Sequence, residues 1–204
     1  EICACLVGSE MCIRDRYSDD ELFDVLNDSG ERTETTKRRG DIHRDGDWHA
    51  SVHIWIARRR ISGMEFLLQK RADDKDSFPG CWDAASTGHI DAGEDAISAA
   101  IRELREELGI RARPSEFVLL FRRKVSEDNI FHGKRFLNNE LKWVFLYKGA
   151  LADTSIHFEE EEISGVEWQN AVSIRKALEK KDPGYCIDLQ EFREVQTCAG
   201  DILP

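Results

Sequence analysis

One stretch constrains this chain more than any other: residues 88–110, GHIDAGEDAISAAIRELREELGI. Ile97, Ile101, Leu104 and Leu108 recur at helical spacing with Ala100 beside them, so one face of a helix is apolar and packs on a core. Glu103 and Glu107 are four apart and lie one above the other on a different face. Glu106, three on from Glu103, borders the same surface. A purely structural helix would interleave lysines here, because like charges four apart cost roughly a few tenths of a kcal/mol. A divalent cation with oxygen ligands is the simplest compensation, and Mg²⁺ usually takes one or two carboxylates plus substrate phosphates. Gly109 stands where a helix C-terminus favours positive φ. Asp91, Glu94 and Asp95 put negative charge at the N-terminal end, which suits the helix dipole.

Gly88, Glu94, Arg102, Glu103, Leu104, Glu106, Glu107, Gly109 and Ile110 match every fixed position of the Nudix box, G-x5-E-x7-R-E-U-x-E-E-x-G-U, where U is a bulky aliphatic residue. The chain therefore resembles the Nudix hydrolases. A solvated acidic helix is the usual fate of a charge run, but it explains neither the placed glycines nor the full set of spacings. The resemblance implies an α/β fold, an α/β/α sandwich with a mixed β-sheet between helices. It implies that Glu103, Glu106 and Glu107 hold Mg²⁺ or Mn²⁺, that Arg102 orients a glutamate and that Glu94 supports the loop and helix start. Gly88 and Gly109 serve the motif structurally.

The length of 204 residues fits one domain, expected over 17–204. Residues 1–16, EICACLVGSEMCIRDR, resemble translated adapter sequence and are expected to be a leader without function. A net charge of −11 argues against nucleic acid as the main partner, but not against a small phosphorylated molecule. No apolar run is long enough to span a membrane, and the N-terminus lacks signal-peptide order. Six cysteines without a C-x2-C pair give no zinc motif, and a reduced cytoplasmic protein is the expectation.

Along the chain, the segment from Asp19 reads as a short strand or helix, and 33–47 as a loop or edge. Val52, Ile54 and Ile56 alternate with His53, Trp55 and Ala57, a strand whose partner is 65–69 across a turn at 61–63. A strand over 82–87 leads into Gly88. After the helix come strands at 117–125, 140–151 and 165–169, with a loop at 129–138. Residues 171–181 read as an amphipathic helix stopped by Asp182-Pro183-Gly184, and 185–195 as a terminal helix.

Hydrolysis of a diphosphate needs charge neutralisation, positioning and a base within hydrogen-bond reach of water. The sequence offers Glu140 or the run 159–162 as that base. Glu106, Glu107 and Glu140 are the expected catalytic carboxylates. His49 and His53 have the spacing of a helical metal pair, but on a strand they stand about 13 Å apart, too far to share one ion. They remain unassigned together with His43 and His89, as structural or pocket-lining groups.

Residues 49–110 are also similar to type I isopentenyl-diphosphate isomerase, through L-L-Q-x-R-x-x-x-K-x-x-F-P-G-C and the following G-H. That resemblance implies diphosphate contacts for Arg71 and Lys75. Three departures point to hydrolysis. Thr87 stands at the isomerase's catalytic cysteine, Glu103 and Glu106 are both present, and its E-x-E reads Asn138-Asn139-Glu140. Isomerase-like Nudix hydrolases are a closer match, since they share G-D-x-H-R-D-G-D-x-H, here at 40–49. The expected partner is a small-molecule diphosphate, with isomerisation or non-catalytic nucleotide sensing as the alternatives.

Overall fold

The computed structural model describes residues 21–203 except 74, 76, 132, 152–155 and 159–161. The expected leader and most of the acidic run 159–162 lie outside the described residues. In chain order the elements are β1 (Leu22–Leu26), β2 (Arg32–Arg38), α1 (Arg39–Asp45), β3 (Trp48–Arg60), β4 (Gly63–Arg71), β5 (Trp82–Asp83), β6 (Ser86–His89), α2 (Ala96–Leu108), β7 (Phe117–Phe131), β8 (Lys134–Tyr147), β9 (Ile163–Asn170), α3 (Ala171–Glu179) and α4 (Leu189–Ile202).

The sheet is built around β3. On one side β8 runs parallel to it, from Trp48 opposite Asn139 to Ile56 opposite Tyr147. On the other side β4 pairs antiparallel only as far as Ile56 opposite Leu67. Beyond that point β3 and β4 part. β6 takes the edge of β3 that β4 leaves open, with Ser51 opposite His89 and Ile54 opposite Ser86. β5 takes the edge of β4 that β3 leaves open, with Gln69 opposite Asp83. β9 pairs along the outer side of β4, β7 along the outer side of β8, and the β1–β2 hairpin joins β3 at Trp48. One parallel pair among antiparallel ones makes the sheet mixed, as expected.

The period of two on β3 separates the two cores. Val52, Ile54 and Ile56 face α2, where Ala99, Ala100, Leu104 and Leu108 close on them with Leu67 and Phe145. Trp55 faces the other way and joins Phe66, Leu68, Val144 and Leu146 under α3 and α4. The Phe66 and Phe192 rings meet edge-on at 5.2 Å. Each fully buried large side chain of this kind contributes roughly 2–3 kcal/mol. Helices on both faces of the sheet complete the expected sandwich.

Several boundaries differ from the sequence reading. The expected loop at 129–138 is instead the far end of the β7–β8 hairpin, with pairing out to Phe131 opposite Lys134 and Gly133 turning at φ 74°. This ribbon runs past both core clusters and buries its inner face only in part, so polar residues such as Asn129 and Asn138 are tolerated there and the apolar alternation is lost. β8 accordingly begins at Lys134 and ends at Tyr147, not 140–151. Segment 33–47 is an edge strand followed by the short α1, ended by Gly46 at φ 73°. The expected strand at 82–87 is two pieces, one on each parting strand. The last helix starts at Leu189, because Asp188 caps it and 185–186 are drawn into backbone pairing with Trp82.

Candidate active site

α2 begins where the Asp95 carboxylate accepts from the backbone N–H groups of Ile97 and Ser98, and it ends at Gly109 with φ 68°. This fixes Arg102, Glu103, Glu106 and Glu107 against the parted strands. Gly88 is needed for close approach, since a Cβ there would fall 2.1 Å from the Glu103 carboxyl group. Arg102 gathers the motif. It donates to Glu94 Oε2 at 2.9 Å, to Glu103 Oε1 at 2.7 Å and to the His89 carbonyl at 2.9 Å. It also lies 3.4 Å from Glu106 Oε2.

Glu107 is 7% exposed. Its Oε2 accepts from Thr87 N–H at 3.0 Å and from Gln69 Nε2 at 3.2 Å. Burial raises its pKa to about 7, opposed by the Thr87 hydrogen bond and reinforced by the Glu162 charge. Burial and the neighbouring Glu107 charge likewise push Glu103 well above the usual carboxylate range, although Arg102 opposes them. Two carboxylates that resist ionisation side by side form a site poised for a cation. Oxygen donors of this kind suit Mg²⁺ or Mn²⁺. Glu106 is more open, between Arg102 and Arg105.

The remaining expected residues fall in three places. Lys75 is buried with its Nζ 3.9 Å from Glu162 Oε2, and both charges act on Glu107. Arg71 donates to the Ser77 carbonyl at 2.9 and 3.1 Å and so braces the turn before Phe78-Pro79-Gly80. Glu140 stands apart from α2, on the sheet face that carries His49.

There the structure assembles a group that sequence reading did not. One ring nitrogen from each of His43, His49 and His89 lies within 4.8 Å of the others. His43 Nδ1 lies 2.8 Å from the Arg39 carbonyl and His49 Nδ1 lies 3.1 Å from the Asp47 carbonyl. Those contacts protonate Nδ1 and leave the lone pair on Nε2. The Nε2 atoms of all three are buried without a hydrogen-bond partner. Glu140 Oε1 is 3.5 Å from His89 Nε2 and 4.0 Å from His49 Nε2. Burial lowers the His43 pKa to about 4 and depresses His49 and His89 as well, so all three are neutral donors. Glu140 stays ionised despite burial, because the Lys142 ammonium lies 3.8 Å away. Three imidazoles and a carboxylate fit a transition metal such as zinc or manganese. His53 is outside this group and lies 2.8 Å from Glu191 through Nδ1. The signal that could have found the cluster is the pair His43 and His49 flanking Gly46, a turn that brings α1 back beside β3.

The NUDIX domain model matches residues 47–188. The chain belongs to the NUDIX family. Nudix hydrolase 3 of Arabidopsis thaliana is 40% identical over 168 residues, 81% of this chain, although the chain spans only 21% of that relative's length. An uncharacterized Nudix hydrolase of Clostridium acetobutylicum is 30% identical, with 81% of this chain and 78% of the relative aligned. An isopentenyl-diphosphate Δ-isomerase of Pectobacterium atrosepticum is 27% identical over 76% of this chain and 79% of its own. A solved protein of Deinococcus radiodurans shares the fold, with a TM-score of 0.62 at 19% identity, over 85% of this chain and 98% of its own. By name, the Arabidopsis and Clostridium relatives are Nudix hydrolases and the Pectobacterium relative is an isomerase. No helix among the described residues is long and apolar enough to cross a membrane.

Proposed function

We propose that this NUDIX protein cleaves a diphosphate linkage in a small organic diphosphate, in the cytoplasm, with Mg²⁺ or Mn²⁺ held by Glu103, Glu106 and Glu107. The substrate class is a nucleoside diphosphate derivative or an isoprenoid-type diphosphate. The observation that carries this is the Glu103–Glu107 pair, with Glu103 pressed against Gly88 and bound by Arg102 and Glu107 buried beside it. The metal would offset phosphoryl charge and acidify a bound water. Thr87 N–H and Gln69 hold the Glu107 carboxylate in place, and Arg102 does so for Glu103. Lys75 supplies positive charge at the same end. Of the two expected positions for the base, Glu162 is favoured over Glu140. Glu162 shares the electrostatic surroundings of Glu107 and Lys75, whereas Glu140 is engaged by the histidines and Lys142.

The histidine cluster favours a second reading, isomerisation of isopentenyl diphosphate. His89, Thr87 and Glu140 lie on one side of the sheet, and a metal held by the histidines and Glu140 would activate groups there. One experiment separates the two. Phosphate release is followed from nucleoside triphosphates, ADP-ribose, NADH, dinucleoside polyphosphates and isopentenyl diphosphate, with Mg²⁺ and with chelator. A coupled phosphatase is added, and the isopentenyl sample is checked for its dimethylallyl isomer. Metal-dependent release supports the hydrolase. Isomer without release overturns it. Silence on both counts refutes turnover and leaves nucleotide sensing.

A further inference from the structure

Along its outer edge, β7 has no partner strand among the described residues, since it pairs with β8 alone. At 15 residues it is long, and a bare edge of that kind is a template for another strand. Its sequence, FVLLFRRKVSEDNIF, places cations before Val125 and carboxylates after it. We propose that β7 is a self-association edge, on which a second copy of this chain pairs antiparallel about a two-fold axis at Val125.

The choice of register follows from symmetry and charge. A two-fold axis normal to the sheet keeps every residue on its own face, so the pairing must centre on a residue. Centring on Lys124 sets two ammonium groups against each other, and centring on Ser126 sets Ile130 against a guanidinium. Centring on Val125 brings Arg122 opposite Asp128 of the partner subunit. Arg122 lies over the Trp143 ring at 4.9 Å and has no ion pair among the described residues. Asp128 accepts from the exposed Arg135 through both carboxylate oxygens, at 2.9 and 2.7 Å, and is itself 56% exposed in its side chain, so a second guanidinium can reach it.

Apolar exposure agrees with the same register. Leu119 and Ile130 are 44% and 75% exposed, although both are large and apolar. The bulge between Leu119 and Phe121 absorbs one residue. Counted through it, Leu119 falls opposite Ile130 of the partner subunit. Leu119, Arg122, Asp128 and Ile130 all lie on one face, because they pair with alternate residues of β8. The dimer thus covers two exposed aliphatic side chains and gives Arg122 a carboxylate, and it does each twice.

Sedimentation velocity on the full chain tests this across a concentration series into the high micromolar range. The expected species has twice the 23.4 kDa chain mass. Arg122→Asp and Asp128→Arg each turn two attractive pairs into two repulsive ones, so each weakens association by roughly tenfold to a hundredfold. The double variant restores the pairs in reverse order and recovers the dimer. Circular dichroism and phosphate release check that each variant is folded. A monomer at every concentration, single variants that associate like the parent, or a double variant that stays monomeric would each overturn the proposal.

Discussion

Glu107→Gln separates the cost of the site from its use. In the folded protein, burial raises the Glu107 pKa from 4.5 to about 7. The folded state therefore binds the proton more tightly than the unfolded state. Below pH 4.5 both states are protonated and nothing is lost. Between pH 4.5 and about 7 the unfolded chain ionises while the folded protein keeps its proton, so stability falls by roughly 3 kcal/mol, and it levels off once the folded carboxyl ionises above 7. Glutamine has the same shape, and its carbonyl can still accept from Thr87 N–H. Without metal, the variant should be the more stable protein at pH 8, by up to about 3 kcal/mol, and should match the parent near pH 5. Urea unfolding in chelator at the two pH values measures this. With metal the order changes, because Mg²⁺ stabilises the form that binds it. The parent should gain stability on adding Mg²⁺ and the variant little, while turnover drops by roughly two to three orders of magnitude. A variant that is no more stable than the parent at pH 8, or that gains as much from Mg²⁺, would refute the electrostatic account of this site.

Gly88→Ala drives a methyl group into the Glu103 carboxylate and should lower kcat roughly a hundredfold while leaving the melting temperature within a few degrees. For the histidine cluster, equilibrium dialysis should find zinc or manganese bound in the parent and lost in His49→Ala, and Mg²⁺-dependent stabilisation should persist in that variant. In the metal-free protein the contribution of His43 alone should fall by roughly 3 kcal/mol between pH 6.5 and about 4, the range over which unfolded His43 takes a proton that the folded site resists, and it opposes the gain from Glu107. The difference between the urea-derived profiles of the parent and His43→Phe isolates it. Glu191→Leu strands the His53 imidazole and the Trp55 indole N–H, which now meet Glu191 at 2.8 and 3.1 Å. Chemical denaturation should show a loss of roughly 2–4 kcal/mol, and no change there would mean that both groups reach other partners.

The parts legible in the sequence were those under local constraint. Val52, Ile54 and Ile56 alternate because β3 is buried on both faces by different partners, and α2 shows its apolar stripe because one face meets the sheet. The β7–β8 ribbon was illegible because polar residues on strands without a core look like a loop. α1 was illegible because it is seven residues long and buries little beyond Ile42 and His43. The histidine cluster was hidden for a different reason. His43, His49 and His89 come from a helix and two strands, and they meet only because β6 takes the edge beside Ser51.

That same parting of β3 and β4 explains why the box and the cluster adjoin. Glu107 is held by Gln69 from β4 and by the Thr87 N–H from β6, one group from each side of the gap. Residues alternate across β6, so Gly88 turns toward Glu103 while the His89 ring joins His43 and His49 on the opposite side. The Arg102 guanidinium then ties the two together, because it binds the box glutamates and the backbone carbonyl of His89 at once. A displacement of β6 must therefore disturb both groups. Changes such as Gly88→Ala should weaken transition-metal binding by the histidines as well as Mg²⁺ binding by the glutamates, whereas His49→Ala, which leaves the β6 backbone in place, should affect only the first. Equal loss at both sites from His49→Ala would show that the histidines, and not the sheet, position the strand.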